Sequence, residues 1–167
     1  LPLEVERIPV VWFEPRVPAE DVGVGRLPVW ILETPTDGSF YGFPYDPDFG
    51  LKVARHHSEV TIGTVEDLDR ELRPADEARV RAFLRAHLPA ADGPLRDSTI
   101  CLYTNTPDGH FVLDIHPAAS GVAFASACSG HGFKFAPVIG EILADLALTG
   151  ASERPIERFR ASRFAPR

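Results

Sequence analysis

The stretch Cys128–Gly150, C-S-G-H-G-F-K-F-A-P-V-I-G-E-I-L-A-D-L-A-L-T-G, narrows the folding choices more than any other part of the chain. Its apolar residues Phe135, Val138, Ile139, Ile142, Leu143 and Leu146 recur at helical spacing, and Glu141 and Asp145 take the opposite face. Pro137 suits the first turn of a helix, where a missing N–H costs little. Gly150 stands where a C-terminal cap belongs. Val122–Ala127 reads as a strand that runs straight into this segment. A strand, a glycine-rich turn and a helix N-terminus together gather backbone N–H groups at the positive end of a dipole, which suits an anion. Gly130 and Gly132 let a flat or charged ligand approach the backbone closely. Many turns with two glycines bind nothing; Lys134, a cation at the same turn, is what makes this one a candidate.

Upstream, short apolar runs alternate with turn signals. Val5–Phe13, Pro28–Glu33, Ser39–Phe43 and Gly50–His56 read as strands, and Thr36-Asp37-Gly38 as a turn between two of them. Ala75–Leu88 reads as a helix on its Val80, Phe83, Leu84 and Leu88 stripe, ended by Pro89, and its simplest role is to cover the sheet. Ser98–Asn105, a Pro107-Asp108-Gly109 turn, His110–His116 and Val122–Ala127 then read as a three-strand meander feeding the final helix. Phe111, Leu113 and Ile115 alternate onto one face of the middle strand, the expected core side. The fold class expected is α+β: an antiparallel-rich mixed sheet with a covering helix, then the meander and a C-terminal helix. The expected division falls between residues 1–97 and 98–167.

Composition limits the partners. The net charge of -7 over 167 residues argues against nucleic acid and anionic membranes. No apolar run approaches membrane-spanning length. Sixteen prolines fit many loops and edge strands. Two cysteines make no disulfide framework, so a reducing cytoplasm is the expected setting. Leu1 leads directly into a strand-like segment, so the chain is expected to begin inside a longer protein.

Three groups could carry chemistry. Cys101 and Tyr103 fall on one face of their strand, where a thiol beside an aromatic ring could meet a ligand. A small buried hydrophobe is the commoner fate of such a cysteine, and Cys128 reads as structural. Lys52 and His56 share a face of the fourth strand; a lysine on a covered face would need a reason, because burying its charge is costly. His110, Asp114 and His116 lie on the same face of another strand and have the donor types of a zinc or iron site. Local hydrogen bonding is the stronger reading of that trio.

Together the motifs resemble a known family. C-L-Y-T-N-T-P-D-G-H-F-V-L-D at 101–114, S-G-H-G-F-K-F at 129–135 and G-E-I-L-A-D-L-A at 140–147 resemble the C-terminal half of the monomeric sarcosine oxidase and N-methyltryptophan oxidase family. These belong to the wider D-amino-acid-oxidase-like flavoproteins. F-Y-G-F-P at 40–44, G-L-K-V-A-R-H at 50–56 and the opening L-P-L-E-V-E-R fit in the same order, so the resemblance covers nearly the whole chain.

The resemblance implies FAD attached covalently through Cys101, with Tyr103 beside the flavin. It implies that the turn Gly130, His131, Gly132, Phe133 and Lys134 lies against the pyrimidine end of the ring, and that Lys134 helps bind a substrate carboxylate. It implies that Lys52 promotes reaction of reduced flavin with oxygen and that Tyr41 and His56 line the substrate pocket. The implied reaction oxidises a secondary or N-methylated amino acid to an imine and reduces O2 to hydrogen peroxide. The Rossmann-type G-x-G-x-x-G of that family is absent from this sequence. The chain is therefore expected to be the C-terminal portion of a two-domain oxidase whose N-terminal FAD-binding half is missing. The alternatives are a non-catalytic fragment that needs a partner half, and a metal-binding protein using His110, Asp114 and His116.

Overall fold

The structure is a computed structural model that describes residues 1–119 and 121–165. The chain divides into two compact units: Glu6–Leu102, and Leu1–Val5 together with the chain from Tyr103 onward. Each is taken by itself.

The first unit is built on a mixed-length, largely antiparallel sheet. Its strands are β1 (Glu4–Phe13), β2 (Trp30–Thr34), β3 (Gly38–Gly42), β4 (Leu51–Arg55), β5 (Thr61–Ile62) and β6 (Leu95–Asn105). The order is β2-β3-β4-β1-β5, and β6 also pairs with β1. Val10 to Phe13 face Ala54 to Leu51 in antiparallel register, and Tyr41 faces Ala54. Because side chains alternate along a strand, this register sorts the sheet into two faces. Val11, Phe13, Phe40, Leu51 and Val53 line one face and are fully buried.

Helix α1 (Pro74–His87) covers that face with Val80, Phe83 and Leu84, as its apolar stripe predicts. The Phe83 ring stacks on Phe40 at 4.0 Å and 8°. Trp30 lies flat over Gly42, its cross-strand partner; a Cβ there would sit 2.4 Å from the indole. Gly42 is thus the space that lets a tryptophan close this end of the core. Each such large side chain removed from water contributes about 2 kcal/mol.

The helix is tied to the sheet by charge as well as by packing. Arg7, in the middle of β1, is fully buried. Its guanidinium donates to the Asp76 carboxylate at 2.7 Å, to the Asp69 carbonyl at 2.7 Å and to the Glu71 carbonyl. Asp76 also accepts the Arg73 N–H at 3.1 Å, one of the donors left open at the start of α1. At the other end Asp92 is buried and accepts from Arg81 at 2.7 Å and Arg85 at 2.9 Å. Burial works to raise the Asp92 carboxyl, but these two guanidinium groups hold it below the ordinary carboxylate value.

The second unit pairs β7 (Val112–Ile115) with β8 (Ala123–Ser126) and packs them on α2 (Ala136–Thr149). Phe111, Leu113, Ile139, Ile142, Leu146 and Ile156 form its core. Gly150 ends α2 in the left-handed conformation, φ 80°, and its N–H returns to the Leu146 carbonyl at 3.1 Å. Phe135, placed in the buried stripe by the sequence, is 38% exposed because it belongs to a short 3-10 turn, Phe133–Phe135, ahead of the helix.

The α+β class, the covering helix and the C-terminal helix stand as expected, but the three-strand meander does not form. β6 belongs to the large sheet, and β7 and β8 make a two-stranded hairpin. The connection after β6 explains the difference. Thr106 Oγ1 donates to the His110 carbonyl at 2.7 Å, and Arg163 donates to the same carbonyl at 3.0 Å. That carbonyl is spent, so β7 begins at Val112 rather than at His110. The end of β6 offers the Thr104 carbonyl to the Ser129 N–H at 3.0 Å, beyond β8, instead of to β7.

Replacing Arg7 by alanine is expected to cost about 3–5 kcal/mol, since it leaves Asp76 and two carbonyls facing a buried gap. Urea denaturation followed by circular dichroism checks this; an unchanged midpoint would show that the pair is idle.

Candidate functional site

The sheet face opposite α1 gathers the residues of the first unit that the sequence singled out. β1–β4 pairing sets Trp12 directly across from Lys52. Phe43 continues β3 past its last residue, its N–H bonding the Lys52 carbonyl at 3.0 Å. The Lys52 Nζ consequently lies 5.0 Å from the Phe43 ring centroid, 5.7 Å from Trp12 and 6.0 Å from Tyr41. Three ring faces around one ammonium are a favourable place for a cation that is half removed from water. Tyr41 meets Phe43 edge-on at 6.4 Å and His56 edge-on at 6.5 Å. The His56 N–H is fixed to the Ser39 carbonyl at 2.7 Å. Lys52, Tyr41 and His56 therefore form one cationic, aromatic face, Lys52 and His56 sharing it as their four-residue spacing implies. The aromatic partners Trp12 and Phe43 were not singled out. Cross-strand register is the signal that finds them, once β1 is known to pair with β4.

Alongside this face Glu6 is buried on β1, 3% exposed. It accepts the Nδ1–H of His57 at 2.8 Å and the N–H of Glu59 at 2.7 Å, while the Ser58 hydroxyl donates to the Arg7 carbonyl at 2.5 Å. The His57 and His56 rings lie 4.4 Å apart. Neither Glu6 nor His57 stands out in the sequence alone.

Cys101 sits on β6 and is exposed, so the expectation of a small buried hydrophobe does not hold. Cys128 is exposed as well; its carbonyl accepts the His131 N–H at 3.0 Å. It is the backbone of Cys128, not a packed thiol, that shapes the turn.

In the second unit the glycine turn is closed by close contacts. Gly130 has φ 74°, and a Cβ there would lie 2.4 Å from the Tyr103 ring. A Cβ at Gly132 would lie 1.5 Å from the Ala127 carbonyl oxygen. These glycines admit a protein ring and a protein carbonyl, a use the sequence reading reserved for a ligand. His131 donates from Nε2 to the Gly109 carbonyl at 3.1 Å, and its ring stacks on Phe111 at 4.8 Å. Phe133 is 96% exposed, and the exposed Lys134 holds its Nζ 5.3 Å from the Phe135 ring centroid. His131, Phe133 and Lys134 are the side chains of this turn exposed to solvent.

The Gly109 carbonyl is itself held by a charged latch. Asp108 accepts from Arg163 at 2.8 and 3.1 Å and from the His110 N–H at 3.1 Å, and it shares the Thr106 hydroxyl proton, at 3.1 Å, with the nearer His110 carbonyl. The Arg163 guanidinium beside it, helped by those two donors, holds the Asp108 carboxyl well below the usual carboxylate range.

The metal reading of His110, Asp114 and His116 is overturned: no cluster of three or more such donors that could hold a metal occurs among the described residues. Asp114 is engaged by Arg160 at 2.8 Å and by the Ala161 and Ile115 N–H groups at 2.8 and 2.9 Å. His116 Nδ1 accepts the Ala118 N–H at 3.2 Å. No helix is long and apolar enough to cross a membrane among the described residues.

Comparison with known proteins agrees with the fold. The family model described as FAD dependent oxidoreductase matches residues 9–146, and the chain belongs to that family. Monomeric sarcosine oxidase of Arthrobacter sp. (strain TE1826) is 44% identical over 140 residues, covering 83% of this chain and 36% of that protein. N-methyl-L-tryptophan oxidase of Salmonella enteritidis PT4 (strain P125109) is 36% identical over 166 residues, covering 99% of this chain and 44% of that protein. The match is to the C-terminal part of these relatives, and the chain spans less than half their length. The solved structure of NikD, an unusual amino acid oxidase essential for nikkomycin biosynthesis, superposes with a TM-score of 0.71 at 23% identity, over 96% of this chain and 42% of that one. Fructosamine oxidase from Aspergillus fumigatus (Amadoriase II) gives 0.72 at 23% identity, over 95% and 39%. These two likenesses concern the fold.

Two outcomes follow from the turn and its latch. Gly130→Ala combines a strained positive φ with a clash on Tyr103 and is expected to cost about 1–3 kcal/mol, read as a lowered thermal midpoint. The stabilisation from Asp108 is complete above the ordinary carboxylate pKa of about 4 and is lost as pH falls from there toward its lower folded value. Asp108→Asn is expected to be less stable at neutral pH and to show a flatter loss of stability below about pH 4. Melting curves across that range check both parts.

Proposed function

We propose that this chain is the C-terminal portion of an oxidase that uses FAD to oxidise a secondary or N-methylated amino acid to an imine, with O2 reduced to hydrogen peroxide. The observation that carries the reading is Lys52 set among Trp12, Tyr41 and Phe43 on the open sheet face, with His56 on its edge. The family match and the similarity to sarcosine and N-methyltryptophan oxidases support it.

Bound FAD supplies the chemistry by accepting a hydride equivalent from the carbon next to the substrate nitrogen. The residues of this chain supply placement and charge. Lys52 keeps an ammonium where negative charge develops as oxygen is reduced, the kind of prepared electrostatics that lowers a barrier most. Its three aromatic neighbours hold it in place and limit its hydration. Tyr41 and His56 form the adjoining wall for the amino acid. Lys134, exposed at the turn before α2, binds the substrate carboxylate. The residues present fit the cofactor: the Cys101 thiol is exposed and accessible for a thioether to the flavin ring. The turn from Gly130 through His131, Gly132 and Phe133 to Lys134 presents backbone N–H groups and a cation to an anionic ring. Tyr103, against Gly130, fixes the shape of that turn.

Residues 1–97 act as part of the substrate domain and residues 98–167 return to the flavin-binding domain. The N-terminal FAD-binding half of the family is the partner this reading requires. We place the protein in the cytoplasm, on two cysteines that are both free. The net charge of -7 favours neither nucleic acid nor an anionic membrane as partner.

In the flavin-loaded protein, Lys52→Met is expected to slow reoxidation by O2 at least about a hundredfold while leaving anaerobic flavin reduction largely intact. Stopped-flow absorbance separates the two half-reactions, and equal slowing of both would remove Lys52 from the oxygen step. Acid precipitation of the wild-type protein is expected to leave a yellow pellet, and of Cys101→Ser a colourless one. A pellet still yellow in Cys101→Ser would place the attachment elsewhere.

A further inference from the structure

His56 has its backbone fixed by the Ser39 carbonyl, but a fixed backbone does not fix a ring. Tyr41 meets that ring edge-on at 6.5 Å, and His57 lies against it, tilted at 54° with centroids 4.4 Å apart. His57 is the closer, and it is itself held. Its Nδ1–H donates to a carboxylate oxygen of Glu6 at 2.8 Å, and that carboxylate is 4% exposed. A buried carboxylate needs donors on both oxygens. Here the second oxygen takes the Glu59 N–H at 2.7 Å.

Satisfying the turn would have been enough to justify an acceptor at position 6. The remaining oxygen is turned toward a half-exposed imidazole whose side chain is 48% accessible, and such a ring gains little by burial alone. What the bond does is orient it. With Nδ1 committed to Glu6, the His57 ring becomes a fixed wall against His56. The order of support runs from β1 through Glu6 to His57, then to His56 and the face that carries Tyr41 and Lys52.

We propose that His57, oriented by the buried Glu6 carboxylate, is a positioning residue that sets the His56 ring at the edge of the cationic face. A side chain that lines a substrate pocket binds well only when its rotamer is locked by its neighbours. The consequence for substrate rests on the reading of that face given above; the orientation of His56 does not.

The test uses the imidazole resonances of His56 in long-range proton–nitrogen spectra, with His57→Ala and Glu6→Gln. His57→Ala leaves Glu6 with its Glu59 donor and Ser58 with the Arg7 carbonyl, so the turn is kept. Glu6→Gln keeps the shape and removes the charge. Both are expected to shift the His56 ring signals while amides of α1 stay in place. In the flavin-loaded protein His57→Ala is expected to raise KM for the amino acid roughly tenfold with little change in kcat, the effect of a misplaced binding wall. His56 signals unmoved in His57→Ala overturn the proposal, whatever Glu6→Gln does. Shifted signals with KM unchanged in both His57→Ala and His56→Ala uphold the positioning and instead remove His56 from the substrate wall.

Discussion

A guanidinium with no exposure to water sits at the centre of β1, and the first unit is arranged around keeping it satisfied. Arg7 needs acceptors on several of its N–H groups, because an uncompensated buried charge costs several kcal/mol. It finds them in Asp76 and in the carbonyls of Asp69 and Glu71. Those three acceptors belong to the segment that leads into α1 and to its first turn. The helix is therefore set in register with the sheet before its apolar stripe is considered. Val80, Phe83 and Leu84 then meet Phe40, Val53 and Phe13 in one arrangement rather than several. Asp92, with Arg81 and Arg85, repeats the device beyond the other end of the helix with the signs reversed.

Because α1 is pinned to one face, the other face of the same strands is left for chemistry. The two faces share every backbone hydrogen bond of β1, β3 and β4, so the geometry around Lys52 inherits the rigidity of the core behind it. Lys52 and Val53 are neighbours in sequence and point to opposite sides. One is surrounded by rings at 5.0 to 6.0 Å, the other packs under Phe83 at zero exposure. Placing functional groups on strands that carry a packed core on their reverse is how a site keeps its spacing without a separate scaffold.

Much of this was legible in the sequence, and the exceptions have physical causes. Strand and helix positions follow from apolar periodicity, so β1, β3, β4, α1 and α2 fall within a residue or two of their expected bounds. Pairing does not follow from periodicity, and so β6 was assigned to the wrong neighbour. The decisive contacts, Thr106 to the His110 carbonyl and Thr104 to Ser129, join residues that no local pattern marks. The family motifs carry Tyr41, Lys52 and His56 in order, and strand register brings their side chains side by side. Trp12, Phe43, Glu6 and His57 were missed because their roles depend on register between strands. Gly130 and Gly132 were seen as important, but the groups that come close to them are Tyr103 and Ala127.

The chain has two tryptophans, and the sheet puts one on each of its sides. Trp30 lies over Gly42 and near Phe83, on the side where α1 docks. Trp12 stands across from Lys52 on the opposite side. Intrinsic fluorescence thus has two separately addressable origins. Emission from Trp30 reports whether the helix is seated, and emission from Trp12 reports what approaches the ammonium. With single-tryptophan variants, the folding of the core and the occupancy of the site become two optical signals from one molecule, with no dye attached.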